Sequence, residues 1–303
     1  MNYKRLETFV WVATLGSFRK VAERLHTTQP AISNRIASLE EEWGCRLFER
    51  EQGQGGIHLT TKGKELLPYA EKILYMSDQL KQRADADHLQ SGLLRLGVSE
   101  TIVHSWLPSF MAALREEMPR LDIELTVDVT SNLSSALLEH SIDLAFLMGP
   151  ISEPQIVNID LCSYPLHWVA SPALDLPVRR LKLNELTHWP IITYAKNTKP
   201  FAQINHRFRE LGDIPVRFFS SSSLAASMRM TLDGVGISAL PDAVIAAELE
   251  RGELLQLDVE WEPKELFFTA SYSNVLPNYI VEYASKRALE MASGYRLKMR
   301  KYD

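Results

Sequence analysis

The 303-residue sequence contains little that would suit a secreted, membrane or metal-binding protein. It has two cysteines, Cys45 and Cys162, whose separation matches neither metal-ligand nor redox spacing. No apolar run approaches the roughly 18 residues that a membrane span needs. Residues 1–7 lack the apolar core of a signal peptide. These absences predict a cytoplasmic protein that has no membrane association, no bound metal and no cofactor.

The sequence also lacks the short motifs of common enzymes. It contains no P-loop, H-E-x-x-H or G-x-S-x-G pattern. Residues 234–239 fit the loose G-x-G-x-x-A dinucleotide pattern, but they follow a predicted helix and open a predicted strand. That order is the reverse of the one that a dinucleotide site requires. We therefore expect no enzymatic activity.

Net positive charge is absent from the chain as a whole but not from its N-terminal part. The formal net charge is −5, whereas residues 1–64 contain ten Lys or Arg and seven Asp or Glu. A mildly basic N-terminal segment followed by an acidic remainder suits a DNA-binding domain joined to a second domain. Because this basicity is modest, strong binding would need more than one such N-terminal domain, or head, on the same DNA.

Residues 17–40 predict two short helices around a polar turn. Ser17 is placed to cap the first of them, and Thr28 to cap the second, with Pro30 in its first turn. On a helical wheel, the apolar side of the second helix turns inward. That side consists of Ile32, Ile36, Leu39 and Trp43.

The opposite side of this helix is small and polar at its N-terminal end. Asn34 could bridge adenine, Arg35 could bridge guanine, and Ser33 could bind phosphate or base. This pattern favours a recognition helix in a DNA major groove. An ordinary three-helix packing unit would show the same apolar spacing and stays open as an alternative.

Beyond the generic motif, about 60 N-terminal residues resemble the signature of LysR-type transcriptional regulators. The similarity rests on Leu6-x-x-Phe9, Gly16-Ser17-Phe18, Ala22-x-x-Leu25, Thr28-Gln29-Pro30-Ala31-Ile32-Ser33, Ile36-x-x-Leu39-Glu40 and Leu59-Thr60-x-x-Gly63. The resemblance implies a winged helix-turn-helix domain over residues 1–61, with wing strands near 46–50 and 56–60. It also implies that Arg50 reaches the DNA backbone or minor groove. The expected DNA-binding residues are Ser17, Thr28, Gln29, Pro30, Ser33, Asn34, Arg35, Ser38, Arg50 and Thr60.

Residues 62–90 predict a long linker helix that pairs with a partner chain. Apolar and small residues repeat in it at heptad spacing, with a further leucine on the shoulder of the seam. The predicted dimerisation residues are Leu66, Ala70, Ile73, Leu74, Ser77 and Leu80. A single amphipathic helix packed on its own domain is the alternative. A two-fold dimer would bind inverted repeats of double-stranded promoter DNA; the resemblance adds a homotetramer, and RNA polymerase is a further candidate partner.

Residues 91–303 alternate between predicted strands and helices, which indicates two α/β lobes with mostly parallel sheets. Lobe I is expected over 91–162 and 268–303, and lobe II over 163–267, with a cleft between them. One helix is predicted from Thr101 to Met118. The resemblance implies that this portion is an effector-binding domain similar to periplasmic solute-binding proteins.

Three predicted strand-to-helix junctions share one chemistry. Their Ser- and Thr-rich helix starts suit a carboxylate ligand, although the same residues are also ordinary helix caps. Glu100 would repel such a ligand unless its carboxyl group were protonated or turned outward, or unless Lys196, Lys199 or Arg229 compensated its charge. The predicted effector-binding residues are Ser99, Glu100, Thr101, Thr130, Ser131, Met148, Gly149, Phe201, Ser220 and Ser221.

These features together predict a transcriptional regulator whose DNA binding is modulated by a small-molecule effector, with a carboxylate as the expected class. A constitutive regulator without an effector is the main alternative. A transport protein that binds solutes would account for the two lobes but not for the helix-turn-helix. A purely architectural DNA binder would not need two lobes.

Overall fold

The structure is a computed structural model that describes residues 2–50, 57–84, 91–212, 214–275 and 278–299. The chain divides into two compact units, residues 1–92 with 273–282 and residues 93–272 with 283–303. Within the described residues, every helix is too short or too polar to cross a membrane.

The N-terminal unit contains three helices, a hairpin and a long helix. The hairpin strands are antiparallel, with Phe48 opposite Leu59. This arrangement confirms the predicted winged helix-turn-helix. In chain order its elements are α1 (Tyr3–Leu15), α2 (Phe18–Arg24), α3 (Gln29–Trp43), β1 (Phe48–Arg50), β2 (Ile57–Leu59) and α4 (Thr61–Ala84).

The two predicted helix caps have different outcomes. The Ser17 hydroxyl accepts a hydrogen bond from the Lys20 N–H at 3.4 Å, as predicted. Thr28 occupies the N-cap position of α3, but its side chain makes no capping hydrogen bond. Backbone bonds close this turn instead, since the Thr27 N–H donates to the Ala22 carbonyl at 2.9 Å. The predicted hydroxyl cap at Thr28 is therefore wrong.

The inner face of α3 packs as the helical wheel predicts. Ile32 and Leu39 are fully buried, and the Phe9 ring lies edge-on to Trp43 with centroids 5.9 Å apart. The Glu40 carboxylate accepts a hydrogen bond from the Leu47 N–H at 2.7 Å. This contact ties the end of α3 to the start of the hairpin.

The second unit is built on two five-stranded sheets, and each sheet has helices of its own. The first sheet has the order β4 (Arg120–Val127), β3 (Ser91–Val98), β5 (Leu144–Met148), β12 (Leu266–Ser273) and β6 (Ile156–Tyr164). The second has the order β11 (Leu255–Gln256), β7 (Leu166–Ala170), β10 (Ile237–Pro241), β8 (Ile191–Tyr194) and β9 (Phe218–Ser221). Both sheets are mixed, whereas mostly parallel sheets were predicted. In the first sheet β3 is parallel to β5, and β12 is antiparallel to β5. In the second sheet β8 is parallel to β9 and β10, and β7 is antiparallel to β10.

The helices confirm the predicted alternation except at one point. The structure has two helices here, and the helical conformation is interrupted between His104 and Trp106. The single helix predicted from Thr101 to Met118 is therefore wrong. Pro108 lies in the first turn of the second piece, where a missing N–H is tolerated, and Trp106 is buried at the break. The remaining helices are α5 (Glu100–Val103), α6 (Leu107–Glu117), α7 (Thr130–Leu138), α8 (Lys199–Arg209), α9 (Leu224–Leu232), α10 (Asp242–Glu250) and α11 (Tyr279–Met299).

The glycine-rich segment between α9 and β10 serves as a turn. It follows a helix and opens a strand, as predicted, and so has the wrong order for a dinucleotide site. A Cβ atom on Gly236 would lie 2.2 Å from the Pro190 carbonyl oxygen. Close backbone packing therefore explains this glycine without a ligand.

Candidate functional site

The outer face of α3 is the candidate DNA interface. Gln29, Pro30, Ser33 and Asn34 are all exposed on it, while the apolar face of the same helix is buried in the domain. These four polar or small residues occupy the N-terminal half of the helix, which is the part that contacts base edges in helix-turn-helix proteins. The structure therefore brings this subset of the predicted residues onto one accessible surface.

Other predicted DNA-binding residues are engaged inside the domain. The Arg35 guanidinium is half-buried and donates a hydrogen bond to the Thr8 hydroxyl on α1 at 3.4 Å. The Thr60 hydroxyl donates to the Arg46 carbonyl at 2.7 Å and accepts from the Gly63 N–H at 3.0 Å. Both side chains therefore make contacts within the domain, and their roles in DNA binding remain predictions.

The remaining predicted DNA-binding residues divide into three groups. Ser17 caps α2 and Ser38 is half-buried, so neither presents a fully open side chain. Thr28 is exposed at the start of α3. The side chain of Arg50 and the wing tip at 51–56 lie outside the described residues.

A shallow groove between α3 and the hairpin adds a basic residue that sequence reasoning missed. Arg46 is exposed and lines this groove together with Ser33 and Glu49. Its position at the start of the wing strand predicted near 46–50 was the available signal, because a wing strand lies beside the recognition helix; in the structure Arg46 lies two residues before β1. Exposed basic residues beside a recognition helix commonly contact phosphates, which fix the orientation of a protein on the duplex.

Helix α4 presents an exposed apolar stripe whose register differs from the predicted one. Ala70 and Leu74 are buried in the core of their own domain, so their assignment to a partner seam is wrong. Leu66 is partly buried against the same core. The exposed apolar residues that follow heptad spacing are Tyr69, Ile73, Met76 and Leu80. Ile73 and Leu80 were predicted; Tyr69 and Met76 were not.

Each five-stranded sheet of the second unit, with its helices, forms one lobe. A cavity of about 330 Å³ is lined by residues from both lobes. Helix α5 follows β3 on one side of it, and α9 follows β9 on the other, so strand ends meet there as in other open α/β folds. Six of the predicted effector residues line the cavity: Ser99, Glu100, Thr101, Thr130, Met148 and Ser221. Six further hydroxyl residues line it that were not among the predicted effector residues: Thr193, Tyr194, Thr198, Ser222, Ser223 and Ser227.

Four other predicted effector residues do not line this cavity, each for a local reason. The Ser131 hydroxyl accepts a hydrogen bond from the Asn197 amide at 2.9 Å. A Cβ atom on Gly149 would lie 2.0 Å from the Thr269 hydroxyl oxygen, so packing explains this glycine. Phe201 packs edge-on against the Phe218 ring, and Ser220 is exposed on β9.

Two hydroxyl groups in the cavity wall lack hydrogen-bond partners among the described residues. Ser99 is only 7% exposed and Thr193 only 3% exposed, and the oxygen of each side chain is buried and unpaired. Ser99 directly precedes α5 on one lobe, and Thr193 lies on β8 of the other. Because buried polar atoms are nearly always paired in native proteins, each orphan calls for a specific explanation.

The Glu100 carboxylate crosses the cleft and occupies the N-terminus of α9. One of its oxygens accepts a hydrogen bond from the Leu224 N–H at 2.5 Å, and the other accepts from the Ala225 N–H at 2.9 Å and the Ser223 hydroxyl at 3.3 Å. His104 lies 3.8 Å from the second oxygen. The negative charge is thus held by N–H groups and a hydroxyl at the positive end of a helix dipole.

The cationic residues expected to compensate Glu100 do not line the cavity. Arg229 forms a 3.0 Å ion pair with Asp233, and both Lys196 and Lys199 are exposed elsewhere. Among the described residues that line the cavity, two carry a carboxylate, Glu100 and Asp128, and none is Lys, Arg or His. A ligand in this cavity would therefore meet hydroxyls, N–H groups, two carboxylates and apolar walls, but no cationic side chain of a lining residue.

A winged helix-turn-helix and a two-lobed α/β domain with a polar cavity together define a DNA-binding regulator with an effector-binding domain. Comparison with known proteins identifies the family. Residues 3–64 match the model of the bacterial regulatory helix-turn-helix protein of the lysR family, and residues 87–274 match the LysR substrate binding domain. The chain belongs to the LysR family of transcriptional regulators, which bind promoter DNA and small-molecule effectors and form oligomers.

Individual relatives agree with this assignment. The HTH-type transcriptional regulator GltR of Bacillus subtilis is 30% identical over 254 residues, which cover 84% of each chain. Among solved structures, ArgP from Mycobacterium tuberculosis aligns with a TM-score of 0.64 at 20% identity, over 96% of this chain and 97% of that one. Full-length LysG from Corynebacterium glutamicum, with bound effector Arg, gives a TM-score of 0.64 at 18% identity, over 97% and 99% of the two chains. The two structural matches share the fold.

Proposed function

We propose that this regulator binds inverted-repeat promoter DNA as a homodimer and that a small carboxylate in the cleft modulates this binding. The proposed division is a DNA-binding domain over 1–61, a linker helix over 62–90 and an effector domain over 91–303. We further propose that the protein acts in the cytoplasm by binding alone, without catalysing a reaction.

The pair of unpaired hydroxyls at Ser99 and Thr193 carries the effector proposal. They lie on different lobes, both line the same cavity, and both are more than nine-tenths buried. Leaving a buried hydroxyl without a partner costs about 1–3 kcal/mol. A ligand that accepts or donates a hydrogen bond at both positions would recover that cost and would bridge the lobes.

The chemistry of the cavity supports a carboxylate with a single negative charge. The contacts to Glu100 demonstrate that N–H groups and a hydroxyl at this cleft can hold a carboxylate without Lys or Arg. A ligand with several negative charges would be disfavoured, because Glu100 and Asp128 also line the cavity. The apolar wall, which includes Met148 and Phe268, suits a hydrocarbon portion.

The exposed stripe on α4 supports the homodimer. Tyr69, Ile73, Met76 and Leu80 repeat at intervals of four, three and four residues, the spacing of a coiled-coil seam. Pairing of these helices would place two α3 helices on one DNA. An effector that changes lobe closure would then alter the spacing of the two heads and the bending of DNA rather than individual base contacts.

The test removes the two hydroxyls together. Ser99→Ala with Thr193→Val should abolish the rise in melting temperature that an active member of a panel of monocarboxylates produces in the native protein, since ligand binding stabilises the folded state by mass action. Binding to a promoter fragment selected from random DNA should persist. The matched control is Ser135→Ala with Thr187→Val, which removes two hydroxyls outside the cavity lining and should leave the response intact.

Three outcomes would count against the proposal in whole or in part. A panel that stabilises the native protein no more than sodium chloride, with selective DNA binding intact, would indicate a constitutive regulator. An undiminished response in the Ser99 and Thr193 double variant would place the effector elsewhere. Stabilisation by amines but not by carboxylates would retain the cleft and overturn the carboxylate class.

A further inference from the structure

The N-terminus of α9 has the properties of a carboxylate-binding subsite. Helix α9 runs from Leu224 to Leu232, long enough for its first turn to carry free N–H groups and a partial positive charge. The Leu224 and Ala225 N–H groups and the Ser223 hydroxyl all donate to one carboxylate, that of Glu100. The anion in this subsite thus belongs to the protein itself.

An independent observation indicates that a ligand enters the same cavity. The Ser99 and Thr193 hydroxyls lack partners among the described residues, although both are more than nine-tenths buried. Both residues line the cavity that Glu100, Ser223 and Leu224 also line. Within one cavity, therefore, the α9 N-terminus is satisfied by Glu100 while two nearby hydroxyls are not. A ligand that binds the hydroxyls lies beside Glu100.

We propose that Glu100 is a built-in substitute for the effector's carboxylate, and that the effector binds by displacing it from the N-terminus of α9. This inference rests on the proposed effector cleft and adds its mechanism. In the free protein the Glu100 carboxylate links the two lobes through α9. In the liganded protein the effector's carboxylate takes the same three donors and its remaining atoms reach Ser99 and Thr193.

Displacement sets the effector concentration at which the regulator responds. The two carboxylates cannot share two N–H groups, so the apparent affinity for the effector is reduced by the fraction of the protein in which Glu100 fills the subsite. Removing the Glu100 side chain should therefore raise affinity for carboxylates. The hydrogen bond from Asn197 to Ser131, a second link across the lobes, would remain in that variant.

Chemical rescue tests the subsite in the full-length protein, with acetate as the probe. Glu100→Ala vacates the three donors, and its melting temperature should fall by a few degrees because a carboxylate bound by N–H groups is lost. Acetate should restore much of this fall in the variant and leave the native protein nearly unchanged, at ionic strength matched with sodium chloride. Acetamide, which has the same shape without the charge, should restore much less.

The result that overturns the proposal is an equal response to acetate in the variant and the native protein, or equal rescue by acetamide. If Glu100→Ala does not fold, Glu100→Gln replaces it, because glutamine keeps the side-chain length and one acceptor oxygen. Acetate should then stabilise Glu100→Gln more than the native protein, and equal stabilisation would refute displacement. If acetate fails to rescue the variant but a monocarboxylate of the panel stabilises the native protein, the effector cleft remains supported. Only the proposed role of Glu100 is then refuted.

Discussion

The candidate DNA interface and the effector cleft are built in different ways. The interface takes Gln29, Ser33 and Asn34 from consecutive turns of one helix, so the helix alone aligns them. The cleft takes its groups from separate strand ends on two lobes. One surface is thus specified by local geometry, whereas the other exists only when the lobes are brought together. A ligand can alter the second without altering the first.

The contrast can be tested first at the exposed apolar stripe of α4, because the proposed homodimer would place two DNA-binding faces on one DNA. Tyr69→Asp with Met76→Asp should give monomers, because the charges would fall within the proposed seam. Loss of the second head should lower affinity for a selected operator by roughly 100-fold or more, the advantage that bivalent binding supplies. Sedimentation and DNA titration measure the two effects.

Ser77→Asp is the control that separates the two possible registers of this seam. The heptad predicted from sequence places Ser77 within the seam, whereas the exposed stripe of the structure runs through Met76 instead. The structural register predicts that Ser77→Asp stays dimeric under conditions where the double variant dissociates. If Ser77→Asp dissociates while the Tyr69→Asp, Met76→Asp double variant stays dimeric, the register predicted from sequence is the correct one.

A second, smaller effect tests whether the interface is confined to the outer face of α3. Asn34→Ala should lower specific affinity by about 1–3 kcal/mol and relax discrimination at one base position. Arg35→Ala should change base discrimination less, because the Arg35 guanidinium is half-buried against Thr8. Binding to a library of single-base operator variants measures both. Greater loss of discrimination in Arg35→Ala would show that this side chain turns outward on DNA.

The difference between the two regions also explains what sequence could and could not predict. The period of Ile32, Ile36 and Leu39 decides which side of α3 is buried, and it is a property of adjacent turns. Ser99, directly after β3, and Ser221, at the end of β9, could likewise be predicted, since hydroxyl residues at a strand end mark such sites. The sequence around Thr193 gives no such signal, because this residue lies inside a short apolar strand and not at a predicted helix start.

The sequence-based predictions were wrong where the same residues could pack against either of two surfaces. The heptad pattern on α4 treats Ala70 and Leu74 as seam residues, but the core of their own domain buries them first. A one-dimensional repeat cannot decide between an intramolecular and an intermolecular partner. Glu100 is a similar case, because its partner at the start of α9 lies more than a hundred residues away in sequence.

The smallest expected effect concerns Arg46, which tests whether the interface extends beyond α3 to the hairpin. Arg46 is exposed in the groove beside Ser33, where it can neutralise a phosphate but lies outside the row of base-reading side chains. Arg46→Ala should therefore weaken binding to all sequences by a similar factor and reduce the salt dependence of binding by about one ion. Arg19→Ala is the matched control, because Arg19 is exposed on α2 beside Glu23. A sequence-dependent loss in Arg46→Ala would instead place this side chain among the groups that read bases, and the hairpin groove would then belong to the specific interface.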